Sequence, residues 1–272
     1  MKKITFALLA AAAVICAGCK NQNKTQNQQA PADILTDDPI ELQVLKVSAE
    51  NLLESAKEMK HIPIVTKDKN GKVVLTDKEK KVKPDFLLDP TTLTMYPDLT
   101  HKYRAVAMLA VDLAIADLYE MNANDYKAVL SALLVDIQDE ALNIFAQTPW
   151  TDEEGGKNAL KDLLEDEYNN GRPNFFWESA AASVVEQIFF VTRDVDKYIK
   201  MFDDQAAADV TYNFVCVHEG IKSLADIYPE MEALNTIIAP LYVINAINVE
   251  QLKSQLTELK GEIEDIRAKL LI

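Results

Sequence analysis

The chain has 272 residues, with 43 acidic against 28 basic side chains and a formal net charge of −15. An apolar fraction of 49% is too high for intrinsic disorder, and so acidic a chain lacks the Lys/Arg excess that nucleic-acid binding requires, so no nucleic-acid partner is expected. Seven glycines in the whole chain are few for the turns of a sheet-rich fold, which leaves an all-α fold as the expectation.

The N-terminus carries Lys2-Lys3, an apolar run from Ile4 to Ala17, and Gly18-Cys19. A positive start, a short apolar stretch and a small-residue cleavage site make residues 1–18 an export signal; the stretch is shorter than the ~20 residues that span a bilayer. Cys16-Ala17-Gly18-Cys19 resembles the lipobox of bacterial lipoproteins, although Cys16 stands where Leu or Val is usual. The resemblance implies cleavage before Cys19 and lipid attachment to its thiol, so the partner implied is a membrane. Seven of the ten residues from Lys20 to Gln29 are Asn or Gln. Residues 19–38 thus read as the lipidated cysteine and a polar tether, with a random-coil reach of about 25 Å. Lys20, where retained inner-membrane lipoproteins carry Asp, and the lack of acids in Lys20–Lys24 point by the same resemblance to an outer-membrane lipoprotein facing the periplasm. Removal of residues 1–18 moves the formal charge to −17 and leaves Cys216 as the single free thiol, so the mature domain must be stable without a disulfide.

Residues 39–272 read as one helical domain. Asp38-Pro39-Ile40-Glu41 is a helix start, and apolar residues recur at helical spacing to about Met59. Residues 60–98 carry four of the ten prolines. Within them Asn70-Gly71 suits a tight turn, and residues 62–76 read as a small exposed β-hairpin followed by an irregular crossover. From Leu99 onward the spacing predicts helices over about 99–121, 124–147, 157–169, 174–201, 204–227, 229–246 and 248–271. Val106–Tyr119 and Phe175–Thr192 are apolar on nearly every side and should form the middle of a multi-helix bundle. In the last helix Val249, Leu252, Leu256, Leu259, Ile263, Ile266 and Leu270 follow a 3-4-3-4-3-4 spacing over three heptads, with Lys253, Lys260 and Arg267 at the e positions. That seam can pack onto its own bundle or pair with a protein partner or second copy.

No catalytic constellation is present. The histidines His61, His101 and His218 are scattered, no metal-ligand spacing occurs, and neither a phosphate-binding Gly-rich loop nor a nucleophile elbow is found; no catalytic residue, metal or cofactor is expected. Cys216 and His218 are two residues apart, about 200° around a helix, and read as core and boundary residues. Asp112 and Glu186 stand in the two most apolar helices, as acids of a pocket or as partners of a core pair with Arg104 or Arg193. Phe176 and Trp177 are either core or the aromatics of a pocket.

Ala110-Val111-Asp112-Leu113 and the Ala182–Phe190 segment resemble two helices of uncharacterised all-helical lipoproteins of Bacteroidota, over roughly residues 96–246. Ala182-Ser183 and Val184 stand where those proteins carry Gly-Gly-Trp, and the resemblance implies a helical envelope domain without an assigned activity. The expectation is a lipid-anchored envelope protein with a non-catalytic binding or scaffolding domain, or else a small-molecule binder with a pocket between the two apolar helices; a third reading is an unrecognised enzyme that uses Asp112 and Glu186.

Overall fold

The computed structural model describes residues 54–60, 62, 75–93, 98–148, 153–225 and 228–272. Residues 1–53, which include the signal, Cys19 and the tether, and residues 63–74 of the expected hairpin lie outside the described residues. Among the described residues the protein is all helical, with no strand. The helices are α1 (Asp77–Lys81), α2 (Leu99–Leu118), α3 (Asn124–Ile137), α4 (Glu140–Gln147), α5 (Glu153–Asn169), α6 (Pro173–Arg193), α7 (Val195–Tyr198), α8 (Asp204–Leu224), α9 (Pro229–Ile238), α10 (Val249–Glu258) and α11 (Lys260–Lys269). Short 3₁₀ turns occupy Pro90–Leu93, Ile199–Met201 and Ala239–Val243.

The two apolar helices are the centre, as their composition requires. Every residue of α2 from Tyr103 to Asp112 is buried, and every residue of α6 from Phe176 to Thr192. They make the most extensive contact in the molecule, and α6 is also covered by α11, α8 and α5. Among the described residues no helix is long and apolar enough to cross a membrane.

Side chains set the helix starts. Asp98 Oδ1 accepts the His101 N–H at 3.0 Å to open α2, and Asp203 and Asn248 do the same for α8 and α10. Pro173 opens α6 after Gly171, whose φ of +70° suits a residue without a Cβ. Several expected helices are divided. The 124–147 helix breaks at Gln138, which is left-handed (φ 59°), because Asp139 turns extended to cap α4 by accepting the Leu142 N–H at 2.8 Å. The 174–201 helix ends at Arg193, where Asp194 caps α7. The 229–246 helix gives way to a 3₁₀ turn at Ala239, next to Pro240.

The C-terminal segment is two helices joined at Leu259 (φ −87°, ψ 2°) rather than one unbroken heptad helix. Its seam faces inward. Leu252, Leu256, Ile263, Ile266 and Leu270 are buried against the chain's own bundle, α11 chiefly on α6 and α10 on α7, α8 and α6. Of the two settings open to the seam, this structure holds the intramolecular one; Val249 and Leu259 are partly buried at its edge.

Trp177 and Gly220 show how closely α6 and α8 approach. A Cβ built on Gly220 would lie 2.4 Å from the Trp177 indole, and the fully buried indole can only give way by displacing its neighbours. Replacing Gly220 with Ala should therefore cost about 1–3 kcal/mol, although a helical Gly→Ala change normally stabilises. Urea unfolding checks this; an unchanged or raised midpoint would show that the contact is looser than the geometry requires.

Candidate functional site

Asp112 and Glu186 are both fully buried, and the structure brings them together on one guanidinium. Their partner is Arg267 of α11, not Arg104 or Arg193. Arg267 Nη2 lies 2.7 Å from Glu186 Oε1, and its Nε lies 2.8 Å from Glu186 Oε2, a bidentate pair. Nη2 is 3.7 Å from Asp112 Oδ2. The guanidinium also stacks on Phe189, 4.0 Å from the ring centroid. The heptad e position at Arg267 thus does not face a partner chain; its side chain is 14% exposed and turned into the core.

Asp112 Oδ2 also accepts the Leu88 N–H at 2.6 Å, while the Tyr126 hydroxyl donates to the Leu88 carbonyl at 2.8 Å. The crossover before α2 is pinned by these two bonds. Burial first, and the neighbouring Glu186 charge second, raise the Asp112 carboxyl well above its ordinary range. The shift favours the neutral form of Asp112, which leaves Glu186 and Arg267 as the closest ion pair of the three.

Arg104 pairs instead with Glu178, both of them buried. Arg193 lies over the Phe86 and Phe189 rings and 3.4 Å from Glu264. A third polar cluster had no motif to announce it. The Tyr103 hydroxyl lies 2.6 Å from Asp139 Oδ2 and 3.0 Å from Glu167 Oε1. Arg172 reaches Asp139 through Nη2 and Glu167 through Nε, each at 3.2 Å. Burial, then the hydrogen bond and charge of Asp139, push the Glu167 carboxyl up to about 8. Against its own burial, hydrogen bonds from Glu167, the Leu142 N–H and Tyr103 hold Asp139 below its usual value. Asp139, Asp166 and Glu167 are the one described group of acids close enough to share a cation, and Arg172 already supplies the positive charge there.

Phe176 and Trp177 are core residues. Both are fully buried; Trp177 packs edge-on to Phe176 at 4.9 Å and its indole N–H points to the Tyr168 hydroxyl at 3.4 Å. Among the described pockets none is lined by either ring together with the two acids. Cys216 is buried, and burial raises its thiol. His218 stacks on Tyr242 with ring centroids 3.7 Å apart, away from Cys216.

A cavity of about 320 Å³ does lie between the two apolar helices, on another face of the pair. Its walls include Ala107 and Ala110 of α2, Ala180, Ser183, Val184 and Gln187 of α6, Phe145 of α4, Leu160 of α5 and Met59. The α6 residues follow i, i+3, i+4, i+7, a single helix face. Two residues, about 200° of rotation, separate Ala110 from Asp112 and Val184 from Glu186. The acids and the cavity therefore lie on different faces of the pair, nearly opposite on α2 and adjoining on α6. Small side chains facing each other at 107, 110, 180 and 183 leave the space. Their spacing was readable in the sequence, whereas the bulky walls come from α4, α5 and residue 59, far away along the chain.

The polar groups of the cavity are largely engaged with the protein. Gln187 Nε2 donates to Ser183 Oγ at 2.9 Å and its Oε1 accepts the Ile62 N–H at 3.1 Å. Asn213 accepts the Lys60 N–H at 3.0 Å and donates to the Lys60 carbonyl at 2.6 Å. Thr148 turns back onto the Ile144 carbonyl. Such a site can hold an apolar molecule by burial and shape; it has no nucleophile and base in contact.

Two substitutions test the acids. Glu186→Gln should cost about 3–5 kcal/mol, because Arg267 is left buried without a full counter-charge, whereas Asp112→Asn should cost less, since burial already favours the neutral form of Asp112. Denaturant unfolding measures both, and equal losses would contradict a protonated Asp112. Glu167 binds its proton more tightly folded (about 8) than unfolded (~4.3), so its stabilisation is complete below the lower value and is lost as pH rises through about 8. Asp112 acts in the same direction. The thermal midpoint should fall between pH 5 and pH 8, and fall less in Glu167→Gln; an identical decline in both proteins would remove Glu167 as a cause.

Comparison with protein-family models, with curated proteins and with solved structures gives no match to this chain, so its function is read from this geometry.

Proposed function

We propose that this protein is a lipid-anchored binding protein of the cell envelope, whose helical domain holds a small apolar molecule in the cavity between α2 and α6. The observation that carries the reading is that cavity, within the size range of small-molecule sites and walled mainly by apolar side chains. A packed core ordinarily contains few voids larger than a water molecule, and an apolar void of this size costs stability that tighter packing would recover. Four small residues on the facing stripes of the two most buried helices keep it open. The reading is non-catalytic because the nearby polar groups are bound to the protein's own backbone and side chains. The anchor rests on the lipobox-like Cys16–Cys19 and the Asn/Gln-rich segment after it, with an outer-membrane, periplasm-facing address from Lys20. Acyl chains contribute ~0.8 kcal/mol per buried CH₂, so several chains on Cys19 would keep the ligand site permanently at a membrane.

A soluble protein starting at Pro31 should bind the neutral dye N-phenyl-1-naphthylamine with a rise in fluorescence. Ala110→Phe, which puts a ring into the cavity, should abolish that rise while keeping the helical circular dichroism and the thermal midpoint. No binding by the parent protein, or equal binding by the variant, would overturn the cavity as the site. For the anchor, cells given labelled palmitate should label the full-length protein, and Cys19→Ala should lose both the label and membrane sedimentation; a labelled Cys19→Ala protein would place the modification elsewhere.

A further inference from the structure

We infer that the molecule held in the cavity is an amphipathic carboxylate, with its chain between α2 and α6 and its head at Lys60 and Lys157; this rests on the cavity being a binding site. Gln187, Ser183, Asn213 and Thr148 are committed to intramolecular hydrogen bonds. Two charged lining residues remain, Lys60 and Lys157, and both are cations.

Their placement is fixed by the fold. Asn213 holds the Lys60 backbone through its N–H and its carbonyl, and Gln187 holds the Ile62 N–H. The Lys60 main chain is thereby fastened to α8 and α6 beside the cavity that this residue lines. Lys157 comes from the first turns of α5, one residue after the lining Gly156 and three before the lining Leu160. The two ammonium groups meet at one carboxylate: Lys60 Nζ is 3.4 Å from Glu58 Oε2, and Lys157 Nζ is 4.0 Å from Glu58 Oε1. Two cations share a single carboxyl group, so the cluster carries an excess positive charge on a chain whose net charge is −15.

Glu58 shows what chemistry the two lysines accept. All three side chains are well exposed, at 61% for Glu58, 44% for Lys60 and 52% for Lys157, so these ion pairs are weak and easily exchanged. A ligand carboxylate tethered to a buried apolar chain would compete with Glu58 from a fixed position, with less freedom left to lose on pairing. The cavity, at about 320 Å³, is of the size of small-molecule sites, so a probe with a medium-length chain is suited to it.

Dodecanoate and 1-dodecanol, equal in chain length and different in head, are the probes. Each is titrated into the Pro31-start protein loaded with N-phenyl-1-naphthylamine, and displacement of the dye is read. Dodecanoate should displace the dye at about five- to tenfold lower concentration than dodecanol, the effect of two partly exposed ion pairs. The Lys60→Gln/Lys157→Gln double variant, with its own dye affinity measured first, should erase that difference, and Glu58→Gln should enlarge it by removing the internal competitor. If the dye binds but the acid shows no advantage, or keeps its advantage in the double variant, the carboxylate assignment is overturned while the apolar cavity stands. If the dye does not bind the parent protein, the cavity reading fails, and the ligand class with it.

Discussion

Helices α2 and α6 are buried on every side over most of their length, and that single constraint governs the remainder of the molecule. A polar side chain on such a helix has no water to turn to, and an unpaired charge there costs several kcal/mol. Each acid on the pair is answered from another element. Arg104 serves Glu178 within the pair itself, and α11 supplies Arg267 to Glu186 and Asp112. Tyr103 is met by Asp139 and Glu167, which are joined in turn by Arg172. The surrounding helices are therefore attached to the centre by specific polar contacts as well as by apolar burial. The C-terminal segment is the clearest case, because its seam and its arginine act on the same neighbour, α6.

The same two helices also contain, among the described residues, a place where their packing relaxes. Where Asp112 and Glu186 point, the space is filled by Arg267, the Phe189 ring and the Leu88 backbone. On the other face, alanines and a serine face each other and the space stays open. One helix pair thus presents a closed, ion-paired side and an open, apolar side. A ligand could enter the second without disturbing the ion pairs that hold the first. Lys60 and Lys157 are the two charged residues that line that side.

Several features were legible along the chain. The apolar runs at Val106–Tyr119 and Phe175–Thr192 announced the central helices, because a helix without a polar face has nowhere else to go. Asp98, Asp203 and Asn248 announced helix starts, since capping is a contact between residues two or three apart. The divisions at Gln138 and Asp194 were harder to read. Asp139 is compatible with a continuing helix, and what diverts it is the conjunction of its own cap with Tyr103 and Arg172, more than thirty residues away in either direction. Gly220 gave no local sign either; its lack of a side chain matters only because Trp177 lies against it.

Local spacing and composition determined the all-helical character, the central pair and the inward stripe of the last helices, because periodicity and propensity act over one or two turns. Which cation answers which acid, which face of the central pair is filled and which is left open, and the turning of Phe176 and Trp177 into the core were decided only in three dimensions. Those outcomes depend on side chains brought together from positions as far apart as Asp112 and Arg267 or Met59 and Val184, and no period in a one-dimensional pattern encodes such a meeting.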